Sequence, residues 1–252
     1  MSEDDNPMKR AQEAMRAALP KRFYKEAAFA ESAEGFSILL DGRAAKTPAR
    51  KTLALPNAAL ASAVAAEWNA IEGQIDPSLL PLTRLANLAI DAVTQAPQPV
   101  IDEIVQYAGT DLVFYRAEGP AGLVALQNER WNPVLDWASA NLGVRFLLAE
   151  GVMHVRQPDA SLAAVRDAVE QLDRPFALTA TASATNIGGS ALIALALARG
   201  ALSGDEAWNA AHVDEQWNIS QWGEDEEAQR RLAARHGEFS AAAKMLALLR
   251  GK

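Results

Sequence analysis

Strand-forming sequence is confined to one early stretch of the chain, and that confinement constrains the fold more than any other feature. Gly35–Leu40 (GFSILL) reads as a strand, and Asp41-Gly42 directly after it is a strong tight-turn pair. Arg43–Thr47 returns from that turn. Lys51–Leu55 alternates apolar and polar residues after a turn at Pro48, and Phe23, Tyr24 and Phe29 suggest one strand more. The stretch predicts a small antiparallel unit of three or four strands. Such a unit is stable only with something packed on its apolar face.

Helical periodicity takes over from there. Asn57 is a good N-cap, and Leu60, Val64, Glu67, Trp68 and Ile71 follow at helical spacing. Trp68 reads first as a core residue and alternatively as a surface anchor. Leu82–Val93 is a second amphipathic helix, and Met8–Leu19 a short one ahead of Pro20. Gln95–Pro99 is punctuated by proline and is the expected linker. The expectation is an α+β protein, with a small N-terminal antiparallel β-rich domain (1–95, with flanking helices) followed by a larger multi-helical domain (96–252).

In that second part, helices are expected at Val100–Ala108, Leu123–Leu142, Ala160–Leu172, Ala191–Ala198 and Glu226–Leu249. Pro133 either kinks the second of these or starts a new segment. Asp111–Ala117 is too short for periodicity to choose between helix and strand. Val144–Leu148 and Val152–Val155 suggest a short hairpin. Thr179–Ser190 (TATASATNIGGS) lacks the glycine spacing of a phosphate cradle, so its small residues are expected to let helices approach closely. On the last helix, Leu232, His236, Phe239, Ala243 and Leu246 share one stripe, which makes His236 a core or boundary residue.

The stretch Ser203–Glu227 holds Trp208, Trp217 and Trp222, three of the chain's six tryptophans. Ser203 is a good N-cap, and Asp205 and Glu206 sit where the helix dipole favours acids. One helix is expected from about Gly204 to about Gln221. On it Trp208, His212, Glu215, Ile219 and Trp222 fall on a single stripe. A carboxylate among tryptophans needs a partner. Three readings stay open for Glu215: local satisfaction by His212, a protein-docking face with a central acid, or a metal or acid–base site. His212 and Glu215 alone are fewer than the roughly three or four ligands of a zinc site. Gly223 is a plausible C-cap, and Glu224–Glu227 can open the next helix or form an acidic lip beside the tryptophans.

Several function classes are disfavoured. A net charge of −8 argues against a nucleic-acid backbone as partner. The chain has no cysteine, which removes thiolate metal sites, disulfides and cysteine nucleophiles, and its three histidines leave little for a metal centre. The sequence holds no nucleophile elbow, no HExxH and no phosphate-binding loop. No cofactor is expected. No run of about 18 apolar residues is present, so no transmembrane helix is expected. The opening MSEDDNPMKRAQ is neither a secretory signal nor an Arg/Ser-rich transit peptide, so a cytoplasmic protein is expected.

Taken together, KRFYKEAAF with GFSILLDGRAAKTPARKTLALP, LASAVAAEWNAI, LPLTRLANLAID, DLVFYRAEGPAGLVALQNERWNPVLDWA and EQWNISQWGEDEEA resemble one family. It is the family of assembly chaperones of the F-type ATP synthase catalytic head that handle its α subunit. The matching stretches run from Lys21 to Ala228 in the family's order. The resemblance implies a β-rich N-terminal domain, a larger helical C-terminal one, and a non-enzymatic role. It implies that the protein shields the free α subunit until the β subunit joins, and a monomer is expected. The lack of a transit peptide favours a bacterial member, since a mitochondrial one would need it. By motif match the resemblance points to Trp68, Glu215, Trp222, Gly223, Glu224 and Asp225. Trp208 completes the expected partner-binding face, and either Glu215 or Glu224 is the expected key acid. The alternative is a small-molecule-binding enzyme built on the His212/Glu215 helix face.

Overall fold

A computed structural model of the protein describes residues 19–151, 154–173, 175–223 and 225–251. The chain is α+β, with antiparallel strands first and helices after them. It divides into two compact units between Asn87 and Leu88.

The first unit is built around β2 (Gly35–Leu40), which pairs with β1 (Ala27–Ser32), β3 (Arg43–Ala44) and β4 (Ala54–Leu55). The β1–β2 register runs from Ser32 opposite Gly35 to Ala27 opposite Leu40, and Leu40 then pairs with Arg43 across the next turn. Asp41 and Gly42 both take positive φ, as a two-residue hairpin turn demands. The Asp41 carboxylate accepts hydrogen bonds from the backbone N–H of Lys25 and Glu26, both 2.9 Å to Oδ1, tying the turn to the chain leading into β1. Those bonds hold its carboxyl below the usual carboxylate range.

Helix α1 (Ala58–Asn69) covers the sheet's apolar face, where Ile38, Leu53, Leu55, Leu60 and Val64 are buried. Asn57 caps the helix by accepting from Leu60 N at 2.8 Å. At its other end the Asn69 amide both accepts from and donates to the Ala27 backbone, fixing helix to strand. Glu67 reaches the start of α2 (Pro81–Leu88) and accepts from the backbone N–H of Leu82 and Thr83 at 2.7 and 2.9 Å. A carboxylate at a helix N-terminus satisfies orphan donors and complements the dipole. Helix α2 ends at exposed Leu88 and is followed by a wider π turn over Ala89–Val93, in which Ala89 and Val93 are buried.

The second unit is helical: α3 (Pro97–Gly109), α4 (Ala121–Leu142), α5 (Asp159–Glu170), α6 (Phe176–Gly188), α7 (Ala191–Ala198), α8 (Gly204–Ala211), α9 (Val213–Trp222) and α10 (Glu226–Arg250). Every residue of α7 is buried, as its all-round apolarity requires, and α4, α6, α8 and α10 pack around it. The small residues of α6 serve close packing: Thr181 and Thr185 donate their hydroxyls to carbonyls one turn back, so neither hydroxyl is left over. Fully buried Asp111 accepts from Val113 N and Leu192 N, joining the chain after α3 to the start of α7. Burial pushes its pKa up to about 6.

Several expectations need correction. The proline-punctuated stretch is not a linker, because Pro97 sits in the first turn of α3, where proline costs no hydrogen bond. Asp111–Ala117 is both things in turn, a 3-10 turn at Leu112–Phe114 and then β5 (Tyr115–Arg116). In place of the expected hairpin, β5 pairs in parallel with β6 (Ala149–Glu150); Val152 and Met153 lie outside the described residues. Pro133 is accommodated within one continuous helix. Tyr24 is buried outside any strand, its ring edge-on to Trp68 and its hydroxyl donating to the Trp68 carbonyl. The helix expected over Met8–Leu19 falls, apart from Leu19, outside the described residues.

Candidate functional site

The tryptophan stretch does not form one helix. Ser203 caps α8 with a full capping box, its hydroxyl accepting from Glu206 N and Glu206 accepting from Ser203 N. That helix ends at Ala211. His212 leaves helical geometry (φ −123, ψ 29), and α9 starts afresh at Val213. The single stripe is therefore broken, and its two halves do different work.

Trp208 belongs to the core. Only 9% of it is exposed; the His212 ring stacks on it at 3.5 Å, and His236 and Phe239 meet its ring edge-on. A tryptophan so enclosed is a packing residue, which corrects its expected place on a docking face. His212 is buried too. Its Nδ1 lies 3.0 Å from the Trp208 carbonyl, which makes Nδ1 the protonated nitrogen, and its Nε2 has no partner among the described residues. Burial lowers its pKa, partly offset by the Trp208 carbonyl and by the nearby Glu215 charge. No hydrogen bond joins His212 to Glu215, since one faces the core and the other solvent. The arrangement offers no acid–base pair. Among the described residues no group of three or more His, Asp or Glu side chains can hold a metal.

Past the break, polarity reverses. Helix α9 is anchored on α4 by two contacts that sequence patterns did not reveal. Asp214 accepts from Gln127 Nε2 at 2.9 Å, and Gln127 Oε1 in turn accepts from Ala117 N. The Trp217 ring lies against Gly122, within 2.5 Å of where a Cβ would stand. Apart from buried Val213, the rest of the helix is half-buried or exposed. Glu215 is exposed, 3.9 Å from Arg235, and Trp222 at the C-terminus is 85% exposed. Gly223 then turns the chain with φ 84 and ψ −175, a conformation open to glycine. Asp225 caps α10 by accepting from Ala228 N at 2.8 Å.

Between α9 and the first turns of α10 lies a groove of about 360 Å³. Glu215, Ile219, Asp225, Ala228, Leu232 and Arg235 are among its lining residues. Here Leu232 is half-buried and His236, expected in the core or at its boundary, is exposed, so the stripe is core only from Phe239 onward. The structure thus brings Glu215 and Asp225 to one groove, with Trp222 exposed on the same helix as Glu215. Trp208 is in the core instead, and Trp68 is half-buried in the other compact unit. Glu224 lies outside the described residues.

Comparison with known proteins bears on this arrangement. Residues 21–139 match the model of the ATP12 chaperone protein family. A crystal structure of Atp12 from Paracoccus denitrificans is 37% identical, with a TM-score of 0.83 over 91% of this chain and 98% of that one. The chain belongs to the ATP12 chaperone family. A bacterial protein from Agrobacterium tumefaciens, provisionally described as a chaperone, has the same fold at 46% identity and a TM-score of 0.87, covering 97% of this chain and 92% of that one. The mitochondrial atp12 protein of Schizosaccharomyces pombe is 23% identical over 220 residues, which are 82% of this chain and 75% of that protein. Family membership makes this a chaperone and not an enzyme. No helix among the described residues is long and apolar enough to cross a membrane.

Proposed function

We propose that this ATP12-family chaperone of ATP synthase assembly binds the free α subunit of the catalytic head and shields its exposed interface until the β subunit joins. The observation that carries the reading is Trp222. An indole 85% exposed on a folded domain leaves a large apolar surface in water, on the helix that also lines a groove combining apolar residues with Glu215 and Asp225. Aromatic anchors of this kind dominate interface energetics, and flanking acids orient a basic partner surface. Trp222, Glu215 and Asp225 form the proposed contact on α9 and α10. The chaperone works as a monomer, and its bacterial relatives favour the cytoplasm as its setting.

Size-exclusion chromatography with the purified α subunit, and separately with the β subunit, tests the proposal. A complex with α alone supports it. A complex with β alone, or with neither, overturns it.

A further inference from the structure

The first compact unit holds a pocket of about 630 Å³ lined by Phe23, Tyr24, Leu40, Arg43, Lys46 and Trp68, among others. Its size suits a side chain or a short peptide segment. Its aromatic side is unusual. Phe23 is 72% exposed and meets Tyr24 edge-on at 5.5 Å, and Tyr24 meets Trp68 edge-on at 5.7 Å. Trp68 Nε1 is shut off from solvent and has no acceptor among the described residues, so a ring rotation toward an acceptor on an occupant would relieve a buried orphan donor.

The charge of the lining narrows the occupant. Asp41, its acid, is occupied by the N–H groups of Lys25 and Glu26. Arg43 is exposed, and its side chain makes no hydrogen bond or ion pair among the described residues. Lys46, also exposed, has only a neutral side-chain partner among the described residues, Thr52 Oγ1 at 3.2 Å. A protein of net charge −8 therefore carries an aromatic pocket whose available charges are both positive. The complement is an apolar side chain with a carboxylate beside it.

We propose that this pocket is a second binding site for partner polypeptide, taking a segment in which an aromatic or large apolar residue adjoins an acidic one. Its service as a client contact rests on the chaperone reading above; its peptide chemistry does not.

Trp68 is the only tryptophan before residue 131, so its indole N–H resonance, assigned with W68F, reports on the pocket in the full chain. The probe is acetyl-Phe-Asp, with acetyl-Phe-Asn-amide as the uncharged control. The expected result is a saturable shift of the Trp68 resonance with the acidic peptide, about tenfold weaker with the control and in R43E/K46E. No shift, or equal shifts for both peptides, overturns the proposal. So does a Trp68 resonance that moves with protein concentration alone, which would give the pocket to a second copy. A resonance that moves on neutralising Glu3, Asp4 and Asp5 without peptide would give the pocket to the chain's own N-terminal segment and overturn the proposal as well. Capture of the purified α subunit by R43E/K46E is then expected to fall about tenfold. Undiminished capture removes the client role. If the wild-type protein captures no α subunit while the peptide still saturates, the α-subunit reading fails and the pocket stands.

Discussion

The Trp217 ring occupies the space that a Cβ on Gly122 would need, so the ring packs this closely on helix α4 because residue 122 has no side chain. Gly122→Ala forces the ring outward. Overpacking of this kind costs about 1–3 kcal/mol, against roughly 1 kcal/mol gained from alanine's better helix propensity. The expected net result is a modest loss of stability, read by denaturant titration. Because α9 carries Glu215 and Trp222, α-subunit capture should weaken in parallel.

Trp222 and Trp208 separate binding from folding. Trp222→Ala removes an exposed ring and should leave the unfolding midpoint unchanged while weakening capture of the α subunit by about 2 kcal/mol, or roughly thirtyfold. Trp208→Ala empties a buried stack and should destabilise by about 3–5 kcal/mol. Circular dichroism melts alongside a binding titration distinguish the two; a destabilised Trp222→Ala would make that residue structural.

Glu215→Lys tests the groove acid. Its contact with Arg235 is long and exposed, so the loss to stability should stay within about 0.5 kcal/mol. Capture of the α subunit should fall at least about tenfold at low salt, with the difference shrinking as salt screens the field. An unchanged affinity at low ionic strength would remove Glu215 from the site.

Asp111 predicts an unusual pH dependence. Its pKa rises from 3.8 to about 6 on folding, so between those values the folded state holds a proton that the unfolded state has lost. Its contribution is therefore full below about pH 4 and declines as pH rises through 6, by roughly 3 kcal/mol in total. In Asp111→Asn this slope should vanish. Stability measured at pH 4 and pH 6.5 for both proteins checks it.

His212 slopes the other way. Burial lowers its pKa below 6.5, so as pH falls through 6.5 the unfolded state takes up a proton that the folded state refuses. Its contribution is full above that value and is lost at lower pH. His212→Phe keeps a ring against Trp208, and its stability cost relative to wild type should be smaller at pH 5 than at pH 7.5.

The local features of the fold were legible because they depend on neighbours in sequence. Asp41-Gly42, the Asn57 and Ser203 caps and the all-apolar α7 follow from turn geometry, capping and periodicity alone. The family resemblance rested on whole motifs and was equally legible. The helix break at His212 was not. Nothing in SGDEAWNAAHVDEQWNISQW breaks a helix by propensity, so spacing alone laid both tryptophans on one stripe. The core decided otherwise. Trp208 is held by His236 and Phe239 from a helix that begins after it in the chain, whereas Asp214 and Trp217 are held by Gln127 and Gly122 from one that ends long before it. Two sets of distant contacts orient the two halves differently, and the chain bends where they meet. Sequence alone thus determined the long strands, most of the helices and which family the chain resembles. Burial of each tryptophan depends on residues far along the chain, so only the tertiary structure decided that Trp208 belongs to the core and Trp222 to the surface.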